Sequence, residues 1–447
     1  MSDHSVPAQS LPLSVTDNRT GQAPLTWAQR VQWNDTEWMK PHDHHFNHGR
    51  VIAVPPGHDL PGVADIIAHL VRKHECLRTR YPVDATGAPY QELRPTEEFS
   101  VSVYETPEPD EEAASALCER LRAQRFDLSA ELPLRVSIVA SDEKPAHLVL
   151  VLSHVTIDYA GLGLLTDELK ALLAGDDTPA APRHQPFDQA ASEATELDQQ
   201  RSAAALGYWE QVLRAAPATT FDSPSEPPPP EDDPRRFAQL TMTSPALTSA
   251  TRTVASRLEV SSTTVLMAAL SVVLCRVTSK EAVPLKLIAS NRGLAGLRDL
   301  VGIALGSTVV LVPTRDRTFA EVIRDTAGAS MRAYRRARCN PVALAELRAD
   351  VSAERGEVDI ELACGFNDIR TPAPTDDEPA FDPLSPTELQ WEEPFPRQET
   401  KLWYWVSNFE GVDVHHALVD THVLSRERTE HLLREIENLV VSAATPL

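Results

Sequence analysis

The sequence has no uninterrupted apolar stretch near the roughly 20 residues that a membrane-spanning helix needs. Its start, MSDHSVPAQS, lacks the basic beginning and apolar centre of a secretory signal, so a cytoplasmic protein with no membrane-embedded part is expected. Cysteine is scarce. The five, Cys76, Cys118, Cys275, Cys339 and Cys364, are odd in number and widely spaced, with no CxxC pair. They signal neither a disulfide framework nor a zinc site, and buried structural thiols are expected. Lysine is also rare, 7 against 35 arginines, and the net charge is −23. That field opposes sequence-independent binding to a phosphate backbone, so nucleic acid is not an expected partner. What remains is ordinary for a soluble globular protein, 42% apolar and 24% charged, and 447 residues exceed one comfortable core. Two domains are expected.

Residues 1–24 have little apolar periodicity and read as a flexible lead-in. Order is expected from Leu25. Val63, Ile66, Ile67, Leu70 and Val71 fall at helical spacing and predict one buried stripe. The branched run HLVLVL at 147–152 predicts a strand, and Leu162, Leu165, Leu169, Leu172 and Leu173 predict a helix after it. The strongest break is 217–235, where four consecutive prolines among acidic residues predict an extended linker. This makes 25–216 a first lobe and 236–447 a second. In the second, Ser261 and Ser262 can cap a helix, strands are expected at 283–289 and 308–313, and a helix near 318–336. The proline- and acid-rich stretch 371–400 reads as a long surface loop, before a strand-like LWYWVSNF and a final amphipathic helix. Strands and helices mix in both halves, which gives an α/β (α+β) class.

The chemistry-bearing segment is Ser153-His154-Val155-Thr156-Ile157-Asp158-Tyr159-Ala160-Gly161, in the predicted strand-to-helix connection. A neutral imidazole can take a proton from an amine or hydroxyl as that group attacks an acyl carbon. A carboxylate four residues on can hold the loop through an arginine. Taken alone, a histidine at a strand end is more often structural.

The segment resembles the HHxxxDG signature of condensation domains from nonribosomal peptide synthetases and their acyltransferase relatives. The resemblance runs in order along nearly the whole chain. Trp27-Ala28-Gln29 through Trp33 looks like the first family motif, and Lys73-His74-Glu75-Cys76-Leu77-Arg78-Thr79-Arg80-Tyr81 is similar to RHExLRTxF. Phe126-Asp127-Leu128 with Pro133-Leu134-Arg135 resembles FDL…PLLR, and Asn291-Arg292-Gly293, Val301-Gly302 and Phe366-Asn367 resemble later motifs.

The resemblance implies a free-standing member with two chloramphenicol-acetyltransferase-like lobes, arranged as a V-shaped pseudo-dimer with a tunnel between them. It implies His154 as the catalytic histidine, and Asp158 in a structural salt bridge to a second-lobe arginine, for which Arg292 is the best match. The reaction implied is amide or ester formation, in natural-product and antibiotic biosynthesis, between an acyl thioester on an acyl or peptidyl carrier protein and a small-molecule amine or alcohol. No cofactor or metal is bound intrinsically; the phosphopantetheine arm comes with the carrier. A monomer is the simplest expectation.

Three positions depart from the family pattern. Ser153 replaces the first histidine, Tyr159 replaces the glycine after the aspartate, and Gly306, followed by Ser307, stands where VGxFVNT has asparagine. Ser153, Tyr159, Gly306 and Ser307 are thus candidate tunnel-lining residues, and Tyr159 is large enough to narrow the passage. These departures keep two alternatives open: a catalytically degenerate scaffold that recruits other proteins, and an acyltransferase using coenzyme A or a lipid-linked donor. The cluster His42, His44, His45 and His48 lacks cysteines and a helical i, i+4 pair, so it reads as a solvated loop rather than a metal site. Glu75 and Arg78 read as structural. Arg332, Arg335, Arg336 and Arg338 are carrier- or phosphate-binding candidates, against the simpler reading of a solvated helix face.

Overall fold

The computed structural model describes residues 6–176, 184–221, 233–356, 360–370, 382–409 and 411–445. The chain divides into two compact units, Met1–Gln200 with Ser290–Gly306, and Arg201–Ala289 with Ser307–Leu447.

The first unit is built on a five-stranded sheet in the order Gln9–Thr16, Thr96–Glu105, Leu134–Ser141, Lys144–Leu152, His48–Ala53. Only the pairing of Thr96–Glu105 with Leu134–Ser141 is parallel. Helices Leu60–Lys73 and Tyr159–Ala174 cover one face, where Val63, Ile67, Leu162, Leu165 and Leu169 pack on Leu148, Leu150 and Leu152. Helix Glu111–Arg122 covers the other, setting Leu117, Cys118 and Leu121 against Val149 and Val151. The unbroken apolar run at 148–152 follows from this: a strand covered on both faces has no polar side to alternate with.

The stretch Lys73–Tyr81 is a buried polar brace. Lys73 Nζ and His74 Nε2 contact Glu168 at 2.5 and 2.9 Å, and Arg80 pairs with Glu97 at 2.7 Å. Glu75 pairs with Arg19, and Arg78 with Asp17 at 3.3 Å, so these two side chains hold the N-terminal segment. A small second sheet in this unit joins Gly21–Pro24, Tyr90–Leu93 and Thr79–Arg80.

The second unit carries a seven-stranded sheet in the order Gly306–Leu311, Pro284–Ala289, Cys364–Asp368, Leu402–Phe409, Val412–Asp420, Phe237–Thr243, Glu388–Trp391. Ser261 caps the helix Ser262–Thr278, accepting from Thr264 N at 3.1 Å. That helix lies within the core with Phe366, Tyr404, Leu432 and Ile436. All five cysteines are buried thiols. Among the described residues no single helix is long and apolar enough to cross a membrane. The bent pair Pro245–Leu258 and Ser262–Thr278, which passes that test jointly, lies in this core.

Four sequence-based expectations are corrected. Of the lead-in 1–24, Gln9–Thr16 and Gly21–Pro24 are strands. Leu11, Leu13 and Val15 alternate onto the first core, while the Arg19–Glu75 and Asp17–Arg78 pairs tie down the turn between. The division between units falls near residue 200 rather than at 217–235, because the helix Glu196–Ala215 packs Ala205, Trp209 and Leu213 into a core with Val309 and Ile360; residues 222–232 of the expected linker lie outside the described residues. Residues 371–381 also lie outside, but the rest of the expected loop 371–400 includes the strand Glu388–Trp391, paired to Thr243–Leu240 with Leu389 and Trp391 against the second core. Lastly, Ser290–Gly306, and Arg292 with it, packs in the first unit although its sequence lies among second-unit elements.

Candidate active site

Strand Lys144–Leu152 ends at Leu152, and the helix Tyr159–Ala174 begins seven residues later. The connection is tightly held. Ser153 N donates to Pro133 O at 3.1 Å, and Thr156 N donates back to Ser153 O at 3.1 Å. The Thr156 hydroxyl donates to Cys76 O at 2.6 Å and accepts from Tyr81 Oη at 3.0 Å. Val155 and Ile157 are fully buried. Set between buried Ser153 and buried Val155, His154 is the half-buried residue of the turn.

The His154 Nδ1 lies 2.9 Å from the Ile157 carbonyl oxygen. A carbonyl only accepts, so Nδ1 carries the proton and Nε2 carries the lone pair. Nε2 has no hydrogen bond among the described residues. Burial holds the imidazole below its ordinary pKa, although the Ile157 carbonyl and the Asp158 charge oppose that shift. The ring is therefore neutral at pH 7 with Nε2 able to accept, which is what a general base requires.

Asp158 faces away from solvent at 1% exposure and caps the following helix. Its Oδ1 accepts from Gly161 N and from Arg292 Nη2, each at 2.7 Å, and Oδ2 accepts from Ala304 N at 2.8 Å. Arg292 also donates to the carbonyls of Leu297, Leu300 and Gly302 at 3.3, 2.8 and 3.1 Å. The expected Asp158–Arg292 ion pair thus forms, but inside the first unit: it fastens the incoming segment Ser290–Gly306 beneath the His154 turn. Gly161 is part of this fit. A Cβ there would stand 2.4 Å from Gly302 O and 3.0 Å from Arg292 Nη2. Gly161→Ala is expected to cost about 1–3 kcal/mol of stability through overpacking. The unfolding midpoint checks this against Gly163→Ala, where a Cβ meets nothing within 4 Å.

The remaining candidates are dispersed. Ser153 is buried, and its hydroxyl accepts from Val155 N at 3.4 Å. Tyr159 is 48% exposed, its ring beneath the Arg50 guanidinium at 4.6 Å. Gly306 and Ser307 open a strand at the point where the chain passes from the first unit to the second. Arg332, Arg335 and Arg336 are exposed at the C-terminal end of helix Phe319–Tyr334, where cations also suit the helix dipole, and Arg338 is half-buried just beyond.

Sequence reasoning missed His48. Grouped with His42, His44 and His45 as a solvated loop, it instead begins the strand His48–Ala53, where pairing with Leu152 brings it beside the turn. Its Nε2 lies 3.0 Å from His154 Nδ1, with the rings edge to face. The two are 106 residues apart, and only the strand pairing, which a single sequence does not reveal, brings them together. Among the described residues no cluster of side chains is arranged to hold a metal ion.

A model of the condensation domain matches residues 19–362. The phosphinothricin tripeptide synthetase PhsC of Streptomyces viridochromogenes is 28% identical over 308 residues, 66% of this chain and 28% of that protein. The isonitrile lipopeptide synthase of Mycobacterium tuberculosis is 29% identical over 337 residues, 72% of this chain and 13% of that one. The chain therefore matches less than a third of the length of either synthetase. Among solved structures, the condensation domain described for chain release from the enacyloxin polyketide synthase aligns with a TM-score of 0.71 at 20% identity, covering 97% of this chain and 85% of that one. The SgcC5 protein of Streptomyces globisporus aligns with a TM-score of 0.68 at 18% identity, covering 94% and 98%. The fold is that of these proteins, and the chain belongs to the condensation domain family.

Proposed function

We propose that this condensation domain transfers an acyl group from a carrier-protein thioester to an amine or alcohol in natural-product assembly, with His154 as general base. The observation that carries the reading is the proton arrangement at His154. The Ile157 carbonyl holds the Nδ1 proton, and the neutral ring keeps Nε2 as an acceptor. In the reaction the acceptor's nitrogen or oxygen attacks the thioester carbonyl as its proton moves to Nε2. The tetrahedral intermediate then collapses, the carbon–sulfur bond breaks, and Nε2 returns the proton to the departing thiolate. An amide or ester and a free phosphopantetheine thiol result. The arm belongs to the carrier, and the step needs no metal or redox group.

Intact-mass detection of acyl transfer tests this, with matched acyl groups offered on a loaded carrier and on coenzyme A. Transfer from the carrier alone, or much faster from it, supports the proposal. Equal or faster use of the coenzyme A thioester supports the alternative donor class. Carrier or protein binding with no transfer from either supports a recruiting scaffold.

Arg332, Arg335 and Arg336 stand out in a chain of net charge −23, and they offer an acidic carrier an exposed cationic patch. Reversing Arg335 and Arg336 together to Glu is expected to weaken carrier binding by about tenfold or more at low salt, with the difference shrinking as salt screens it. Unchanged affinity at low salt assigns these residues to the helix terminus alone.

A further inference from the structure

The two contacts at His154 Nδ1 allow one consistent set of protons. Nδ1 donates toward the Ile157 carbonyl, so the His48 nitrogen 3.0 Å away faces an N–H and must present its lone pair. His48 therefore carries its own proton on Nδ1. A protonated His48 would set N–H against N–H and abolish the contact.

The surroundings are built to hold His48 in that place and charge state. Asn47, just before it, donates through Nδ2 to the carbonyls of Arg122 and Gln124, both at 2.9 Å, and Arg122 Nε donates back to Asn47 O at 3.0 Å. Gly49, just after it, lets helix Glu111–Arg122 approach so closely that a Cβ there would stand 2.5 Å from Cys118 Sγ. The charged and titratable groups around the pair are Arg50 on its own strand, Arg122 on the covering helix, and His154 and Asp158 on the turn, with Tyr159 against Arg50. Burial, then His154 and the two arginines, holds His48 well below its ordinary pKa, so the ring is neutral.

We propose that His48 is a positioning residue for His154, its Nε2 accepting from His154 Nδ1–H. Its catalytic consequence rests on the acyl-transfer reading above. The acceptor does two things. It stabilises the tautomer whose Nε2 is the base, and it strengthens when Nε2 gains a proton and the ring becomes an imidazolium. A catalytic triad uses a carboxylate at this place. Here two neutral acceptors, an imidazole and a carbonyl, share the Nδ1 proton, and no proton passes to His48.

The test compares the full chain with His48→Phe, which keeps a ring but no acceptor, and His48→Gln, whose amide oxygen can accept near the place of Nε2. His48→Leu is a second apolar variant should the Phe variant not fold. Nitrogen-15 histidine spectra, with the His154 signals assigned by difference from His154→Ala, read tautomer and titration whether or not substrate is turned over. In the apolar variant the His154 midpoint is expected to move further down and the Nδ1–H population to fall, with Gln restoring most of both. Turnover should fall about 10- to 100-fold, the value of one hydrogen bond to a charged group, mainly in kcat, with Gln recovering most of it. A His154 tautomer and titration unchanged in the folded apolar variant overturn the proposal, because the Ile157 carbonyl would then suffice. Absence of transfer by the wild-type chain from any donor counts against the acyl-transfer reading alone, and the spectra still decide the role of His48.

Discussion

Replacing His154 by alanine is expected to slow acyl transfer by about 10²- to 10⁴-fold, the range that a positioned general base contributes. In the proposed mechanism Nε2 acts on the attacking proton and not on the bound carrier, so the loss should fall on kcat rather than on KM. Stability should fall less than in Asp158→Ala, because Ser153, Thr156 and Asp158 still hold the turn once the imidazole's contacts with the Ile157 carbonyl and His48 are gone. The pH dependence has a definite sign. The base of the proposed mechanism works unprotonated, and burial lowers its pKa, so the acid limb of kcat/KM should be centred below the ordinary histidine value of about 6.5. A His154→Ala variant that retains wild-type kcat, or a wild-type acid limb centred above pH 6.5, would place the proton acceptor elsewhere.

How much of this was legible in the sequence depends on the range over which each feature is determined. The strand Lys144–Leu152 and the helix Tyr159–Ala174 are local: a branched apolar run and a leucine stripe, with an aspartate at the cap, are enough to locate them. The first strand, Gln9–Thr16, also alternates, but Pro12 interrupts it. Proline is tolerated there because this strand lies at the sheet's edge, paired only with Thr96–Glu105, and edge status is not written locally. Glu388–Trp391 was missed for the same reason, being a four-residue edge strand amid proline and acid.

The candidate site divides in the same way. His154 and Asp158 lie four residues apart in one turn, so pattern finds them. The order of motifs points to Arg292 but not to the unit that Arg292 joins. Sequence position suggests the second half, whereas the segment crosses to pack with the first unit through Val301 and the backbone of Gly302. His48 shows where local reading fails. A cluster of four histidines draws attention as a group, yet His48, which touches His154, lies past the short 3-10 turn Asp43–Phe46, where the chain enters the sheet. The strand-like VIAV that follows, at 51–54, was a usable signal that the chain is already extended there.

Asp158→Ala is expected to be the more damaging change to the fold, costing the first unit about 3–5 kcal/mol, the penalty for breaking a buried ion pair. Three donors lose their acceptor at once: Gly161 N at the helix cap, Ala304 N on the crossing segment, and Arg292 Nη2. The guanidinium, whose side chain is only 12% exposed, would be left with carbonyls and no counter-charge. The unfolding transition of this unit should fall by roughly 10 °C. Asp158→Asn retains a cap oxygen but no charge, and should fall between wild type and alanine. Removing the arginine as well discriminates further. If the uncompensated charge dominates the loss, Asp158→Ala combined with Arg292→Ala should be less damaging than the sum of the two single changes, by about 1–3 kcal/mol. Strict additivity would make the loss one of capping and packing. An Asp158→Ala midpoint equal to that of His154→Ala would mean that the pair does not fasten Ser290–Gly306 at all.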